Sequence, residues 1–174
     1  MEKWPNLILV AGTNRNVGKT TFITKLIASV SKEHAVTAIK ITPHFHELTE
    51  SLEVIHQNDN LVICKELSKN LSKDSSKMLA AGAKHVFYIQ TIDKKLTEAF
   101  KILELFLPVK EPIICESAAL RTIIEPGLFV VMSHANDQMN NKNKDLFEIA
   151  DSNIVDYNYQ DYKISFKENR WELI

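Results

Sequence analysis

The apolar positions of this chain fall in blocks, and most of the blocks are unbroken. Asn6 to Gly12 (NLILVAG), Ala35 to Ile41 (AVTAIKI), Lys84 to Gln90 (KHVFYIQ), Pro112 to Ser117 (PIICES) and Leu128 to Ser133 (LFVVMS) lack the clean apolar–polar alternation of a half-exposed strand. Such runs belong to strands buried on both faces. Between them the period lengthens. In TTFITKLIASVSKEH, residues Phe22, Ile23, Leu26, Ile27 and Val30 recur at helical spacing. DKKLTEAFKILELFL carries Leu96, Phe100, Leu103, Leu105 and Phe106 on or near one stripe, and SSKMLAAGA predicts a short helix that Gly82 ends. Buried strands alternating with amphipathic helices predict a three-layer α/β fold, a mostly parallel sheet with helices on both faces.

Between Thr42 and Asp74 the pattern blurs. TPHFHELTESLEVIHQNDN is polar, LVICKEL has strand character, and SKNLSKD reads as loop, so residues 43–73 are expected to form an insert. AALRTIIEPG reads as a loop, and NNKNKDLFEIA as a polar start finishing in a short helix. NIVDY reads as a last core strand and YKISFKENRWELI as a terminal hairpin.

Length adds that the whole chain, 1–174, is one domain with one core. With 21 basic and 22 acidic residues, net charge gives no reason to expect nucleic acid or a membrane surface as a partner. No run approaches the ~18 apolar residues of a membrane span, and the N-terminus has the wrong flanks for a signal peptide. Cys64 and Cys115 lie in apolar runs and read as buried thiols in a reducing compartment rather than a disulfide. A cytoplasmic protein is expected.

The candidate chemistry begins at GTNRNVGKTT, residues 12–21, directly after the first buried run. The phosphate-binding loop G-x-x-x-x-G-K-[ST] has four residues between its glycines. Here Gly12 and Gly18 have five between them, and Thr13 stands where the first glycine belongs. The strand–loop–helix context is right. Gly18 lets the backbone approach a phosphate, Lys19 can reach the β and γ phosphates, and the Thr20 hydroxyl can hold Mg²⁺. Glu116, ending PIICES, is the candidate second acid, binding the metal directly or through water. Lys40, Thr42, His44 and His46 fall near the same sheet edge, where the histidines could meet metal or phosphate or remain solvated. Asn136 or Asp137, in SHAND after LFVVM, could read a base edge. NNKNKD lacks the N-K-x-D spacing of a guanine site and reads as a solvated helix start.

The loop form G-T-x-x-x-V-G-K-T resembles that of dethiobiotin synthetase. It also resembles the wider P-loop class that includes MinD, nitrogenase iron protein and the signal-recognition GTPases. Some members carry an early loop lysine that contacts phosphate across a dimer; Asn14 stands at that position here, with Arg15 beside it. The ordered set AIKITPHFHE, SKDSSKMLAAGAKHVFYI and IICES, over about residues 6–133, resembles the molybdopterin-guanine dinucleotide biosynthesis protein B family. Lys73-Asp74-Ser75 match its K-D-S, Ala81-Gly82-Ala83 its A-G-A, and Glu116 its V-E-G glutamate, though Ser117 replaces that glycine.

The resemblance implies a Mg²⁺-dependent GTP- or ATP-binding protein with slow hydrolysis. It would be a homodimer and an adaptor to a protein partner in molybdenum-cofactor assembly. Gly12, Thr13, Asn14, Arg15, Asn16, Val17, Gly18, Lys19, Thr20, Thr21 and Asn136 would hold the nucleotide. Lys19 and Glu116 would be catalytic, and Thr20, Asp74 and Glu116 would hold Mg²⁺. The alternative is a small-molecule kinase or an ATP-dependent, dethiobiotin-synthetase-like ligase whose insert forms the acceptor pocket. A third reading is a non-enzymatic module whose loop holds an anion for structure only.

Overall fold

The computed structural model describes residues 1–137, 141–156, 158 and 163–174, with backbone only at 141–143. The strands in chain order are β1 (Glu2–Gly12), β2 (Thr37–Thr42), β3 (Leu52–Asn58), β4 (Leu61–Glu66), β5 (His85–Thr91), β6 (Ile113–Glu116), β7 (Ile124–Ser133), β8 (Ser152–Val155), β9 (Ile164–Lys167) and β10 (Arg170–Leu173). The α-helices are α1 (Lys19–Val30), α2 (Asp74–Ala80), α3 (Leu96–Glu104) and α4 (Asn141–Glu148), with 3₁₀ turns at Asp93–Lys95 and Ala119–Thr122.

An eight-stranded sheet runs β3-β4-β5-β2-β6-β1-β7-β8. From β5 to β8 the pairs are all parallel; β3 and β4 add an antiparallel extension at one edge. Side chains alternate between two cores, as the pleat requires. Ile8 and Val10 pack under α1 and α2, with Ile23, Ile27 and Met78. Leu7, Leu9 and Ala11 pack on the other face, with α3 and the partly buried Leu146 and Phe147 of α4. The expected three layers are present. Cys64 and Cys115 are buried free thiols, and among the described residues no helix is long and apolar enough to cross a membrane.

The hairpin β9–β10 was expected, and its place closes the fold. Its turn residues Glu168 and Asn169 both have positive φ, 49° and 61°, as a tight two-residue hairpin loop needs. Trp171 is 3% exposed and donates its indole N–H to the carbonyls of Asn6 (2.8 Å) and Ile113 (3.2 Å). Phe166 meets its ring edge-on at 5.3 Å. The hairpin thereby ties the chain's end to β1 and β6 away from the glycine loop.

Three expectations need correction. The polar stretch after Thr42 contains a strand, β3, which pairs with β4 through a register shift between Val54 and His56. Edge strands are weakly patterned because only one neighbour and part of one face constrain them. AALRTIIEPG is not all loop, because β7 already starts at Ile124 and pairs with Glu2. The apolar stripe of α3 stops at Leu103, and Leu105 is 83% exposed because the helix ends at Glu104.

Replacing Trp171 by alanine should remove both indole bonds and the ring packing. The expected loss is about 3–5 kcal/mol in urea unfolding followed by far-ultraviolet dichroism. A loss below about 1 kcal/mol, the size of an average substitution, would show that the hairpin is not part of the core.

Candidate functional site

β1 delivers the chain to the sheet's carboxyl edge, where Gly12 opens the glycine loop. Asn16 (φ 61°) and Gly18 (φ 85°) turn it through left-handed backbone into α1. The first turn of α1 carries no acidic side chain, so its free N–H groups and dipole face the loop uncompensated. Lys19 folds back across the loop and donates to the Asn14 carbonyl at 2.9 Å. Its stem lies over Gly12. A β-carbon at position 12 would sit 2.7 Å from both Lys19 Nζ and Val17 Cγ2. The early glycine therefore makes room for the lysine stem, a need independent of where the first loop glycine usually falls. Burial lowers the Lys19 pKa, against the opposing pull of Glu116.

Asp137 grips the start of the loop. Its carboxylate accepts from the Thr13 hydroxyl, from Asn14 Nδ2 (2.7 Å) and from the His134 amide (2.9 Å). Those bonds, Thr13 first, hold its pKa down to about 2. The carboxylate thus faces the loop, while Asn136 occupies the exposed turn beside it.

The second half of the site follows from sheet register. Val10 pairs with Glu116, Glu116 with Lys40, and Lys40 with Tyr88. Paired residues share a face, so these side chains form a row. Two residues earlier the same face reads Ile8, Ile114, Ala38 and Val86, all 0% exposed. The face changes from oil to charge in one step, where α1 and α2 begin. Lys40 Nζ sits 2.6 Å from Glu116 Oε1 and 3.1 Å from Asp74 Oδ2 at the start of α2. Burial pulls the Lys40 pKa down, but Glu116 and then Asp74 raise it by more. Asp74 is lowered: burial opposes this, and Lys40, Lys77 and a Thr20 hydrogen bond outweigh it.

Of the predicted metal donors, Asp74 and Glu116 therefore meet at one ammonium, and Thr20 hydrogen-bonds Asp74. Glu116 Oε2 is buried and has no hydrogen-bond partner among the described residues. A hydroxyl and two carboxylates, one with an orphaned oxygen, suit a hard cation. Among the described residues no group of three His, Cys, Asp or Glu could cage a metal alone. Mg²⁺ needs no such cage, since it keeps waters and phosphate oxygens in its shell.

Loop and row open into one cavity of about 890 Å³, whose lining includes Arg15, Lys19, Lys40, His44, Lys73 and Glu116. The histidine segment carries no regular structure but is tied down. Gln90, 1% exposed, accepts from the His46 amide (2.5 Å) and donates to the His46 carbonyl (3.1 Å). Thr42 Oγ1 accepts from the His44 amide, and the Arg15 guanidinium reaches His44 Nε2 at 3.3 Å. Sequence reasoning missed Gln90, Asp137 as the loop's anchor, and Lys40 as the group between the acids. All three depend on strand register, which leaves no local trace.

No family model matches the sequence, and no curated protein matches it. Among solved structures, the "apo" form of LpxK from Aquifex aeolicus in complex with ATP is similar. The TM-score is 0.54 at 14% identity, over 92% of this chain and 51% of that one. The chain thus spans about half the length of that protein. The likeness is one of fold, an α/β architecture with a mostly parallel sheet and helices on both faces.

The Asp137 carboxyl should titrate near pH 2, read by carboxyl ¹³C NMR. Its pKa is depressed, so the grip on the loop holds above the ordinary carboxylate range and is lost as pH falls through about 2. A midpoint near the unperturbed value of about 3.9 would show that the carboxylate does not hold Thr13 and Asn14.

Proposed function

We propose that this chain binds a Mg²⁺-bound purine nucleoside triphosphate at residues 12–21 and moves its γ-phosphoryl group to a small acceptor in the adjoining cavity. The observation that carries this is continuity: Lys19 and Thr20 of the loop line the same cavity as Lys40, Thr42 and His44. A loop that held an anion for structure alone would need no such space beside it.

The loop N–H groups and Lys19 would cradle the phosphates, with Thr13, Asn14, Asn16, Val17 and Thr21 shaping the turn. Thr20, Glu116 and Asp74 would hold Mg²⁺, which when bound neutralises phosphate charge. Lys40 acts on the protein side. It positions Glu116 and Asp74 and keeps a cation at the seam between loop and acceptor space, where charge develops during transfer. In the transfer the acceptor oxygen bonds to γ-phosphorus, the bridging P–O bond breaks, the nucleoside diphosphate leaves, and the acceptor's proton passes to solvent. With water as acceptor the same site hydrolyses slowly. ATP is favoured over GTP because the similar fold of LpxK was solved with ATP and Asp137 is already committed to the loop. Asn136 remains the candidate for touching the base.

The second reading is a homodimeric GTP-binding adaptor in molybdenum-cofactor assembly. It is favoured by the Lys73-Asp74-Ser75 block opening α2 at the site itself. Leu67 and Leu71, more than half exposed just before that block, would then face the protein partner.

Calorimetric titration of the Mg²⁺ salts of ATP and GTP tests the nucleotide site. Wild type should bind at least one, and Lys19→Ala should weaken it by about tenfold or more, the loss of one charge-assisted contact. If wild type binds neither, both readings fall. Glu116→Gln should slow Mg²⁺-dependent hydrolysis by about 10–100-fold while changing affinity less. An unchanged rate removes Glu116 from the site.

A further inference from the structure

We propose that the acceptor carries an oxyanion group, a phosphate or carboxylate, bound by Arg15, His44 and Lys73 at the cavity mouth; this rests on the phosphotransfer reading. Both carboxylates lining the cavity are engaged, Glu116 by Lys40 and Asp74 by Lys40 and Lys77. Arg15 and Lys73 have no carboxylate within ion-pair distance among the described residues. The Arg15 guanidinium donates to the His44 ring (3.3 Å), and the Lys73 ammonium donates to the Thr49 hydroxyl (3.3 Å). A guanidinium has no acceptor, so His44 Nε2 supplies a lone pair, a weak substitute for a carboxylate or phosphate.

The two cations reach the 42–50 segment from different elements, Arg15 from the glycine loop and Lys73 from the start of α2. That segment is held at His44 and His46, by Thr42 under the His44 amide and by the buried Gln90 on both backbone groups of His46. A segment so fixed, with two cations that bond only a ring nitrogen and a hydroxyl of it and line one cavity, is a prearranged site for an anion. Lys19 already serves the nucleotide phosphates and Lys40 is committed to the acids, so the positive charge at the mouth belongs to the other substrate. Arg15 and Lys73 both keep open donors beyond these bonds, since a guanidinium carries five N–H groups in a planar fork and an ammonium three. His46, its ring centroid 6.4 Å from that of His44, completes the wall.

The test keeps the glycine loop filled. The protein is saturated with Mg²⁺ and a non-hydrolysable ATP analogue, then titrated at constant ionic strength with inorganic phosphate, acetate or chloride. The His44 and His46 rings are followed by ¹H–¹⁵N NMR. Phosphate or acetate should shift them saturably, the stronger of the two identifying the group, and chloride should not. In Lys73→Gln and His44→Asn, the latter read at His46, anion affinity should fall by about tenfold more than analogue affinity. No saturable shift in wild type overturns the proposal, as does anion affinity unchanged from wild type in both variants. A response seen only without the analogue places the anion in the glycine loop and also overturns it. Failure of the analogue to bind overturns the nucleotide reading, and this proposal, which rests on it, falls with it.

Discussion

One ammonium group organises this protein's polar edge. Lys40 rises from β2, and its Nζ lies between Glu116 of β6 and Asp74 of α2; Asp74 in turn meets Thr20 of α1. A single cation thus joins two strands of the sheet to both helices of one face. Desolvating such charges costs several kcal/mol per ion, so the cluster is a poor way to gain stability. A methionine on that strand would pack more cheaply. The arrangement makes sense as a way to keep two carboxylates close and aimed at the first turn of α1. Lys40 lies between them, and under the proposed function a divalent cation arriving with phosphate would find donors already in place.

The abrupt change along the sheet face makes that cluster possible. Ile8, Ile114, Ala38 and Val86 are sealed under α1 and α2, and one pleat later the row is Val10, Glu116, Lys40 and Tyr88. The helices that seal the first row start at the second. Their N-terminal ends, with Lys19 opening one and Asp74 the other, overhang the charged row rather than cover it. The site is the place where the hydrophobic core stops, at the carboxyl ends of the strands, as open parallel sheets dictate.

Much of this was legible in the sequence, and the reasons differ by element. The core strands showed as unbroken apolar runs because both faces are covered. The glycine loop showed because the phosphate-loop pattern calls for particular residues at adjacent positions. Glu116 showed as an acid ending an apolar run. By contrast β3 was hidden, since an edge strand with one face in solvent tolerates His56, Gln57 and Asn58. Gln90 looked like one more polar residue at a strand end, although its amide fixes a loop more than forty residues away. Asp137 belonged to a candidate base-reading segment, yet its carboxylate reaches back more than a hundred residues to Thr13. Contacts set by register between distant strands follow no local rule, so residues whose work is purely tertiary stay silent until the sheet is assembled.

The longer loop is the last point where local and tertiary constraints meet. Read alone, Gly12 looks like a misplaced glycine. In the fold its hydrogen faces the stem of Lys19 and a methyl of Val17, and a β-carbon there would force one of them to shift. The extra residue lets Thr13 and Asn14 turn outward to Asp137, while Lys19 turns inward to the Asn14 carbonyl. That lysine bond is one a phosphate can replace, since it joins an ammonium to a single neutral acceptor while burial lowers the lysine's pKa. The Asp137 bonds are not exchanged so readily, being three contacts to one ionised carboxylate. The loop is therefore anchored at its start and free to trade partners at Lys19. A phosphate site needs that division, with a fixed frame and one cation whose resting bond is weaker than the one its ligand offers.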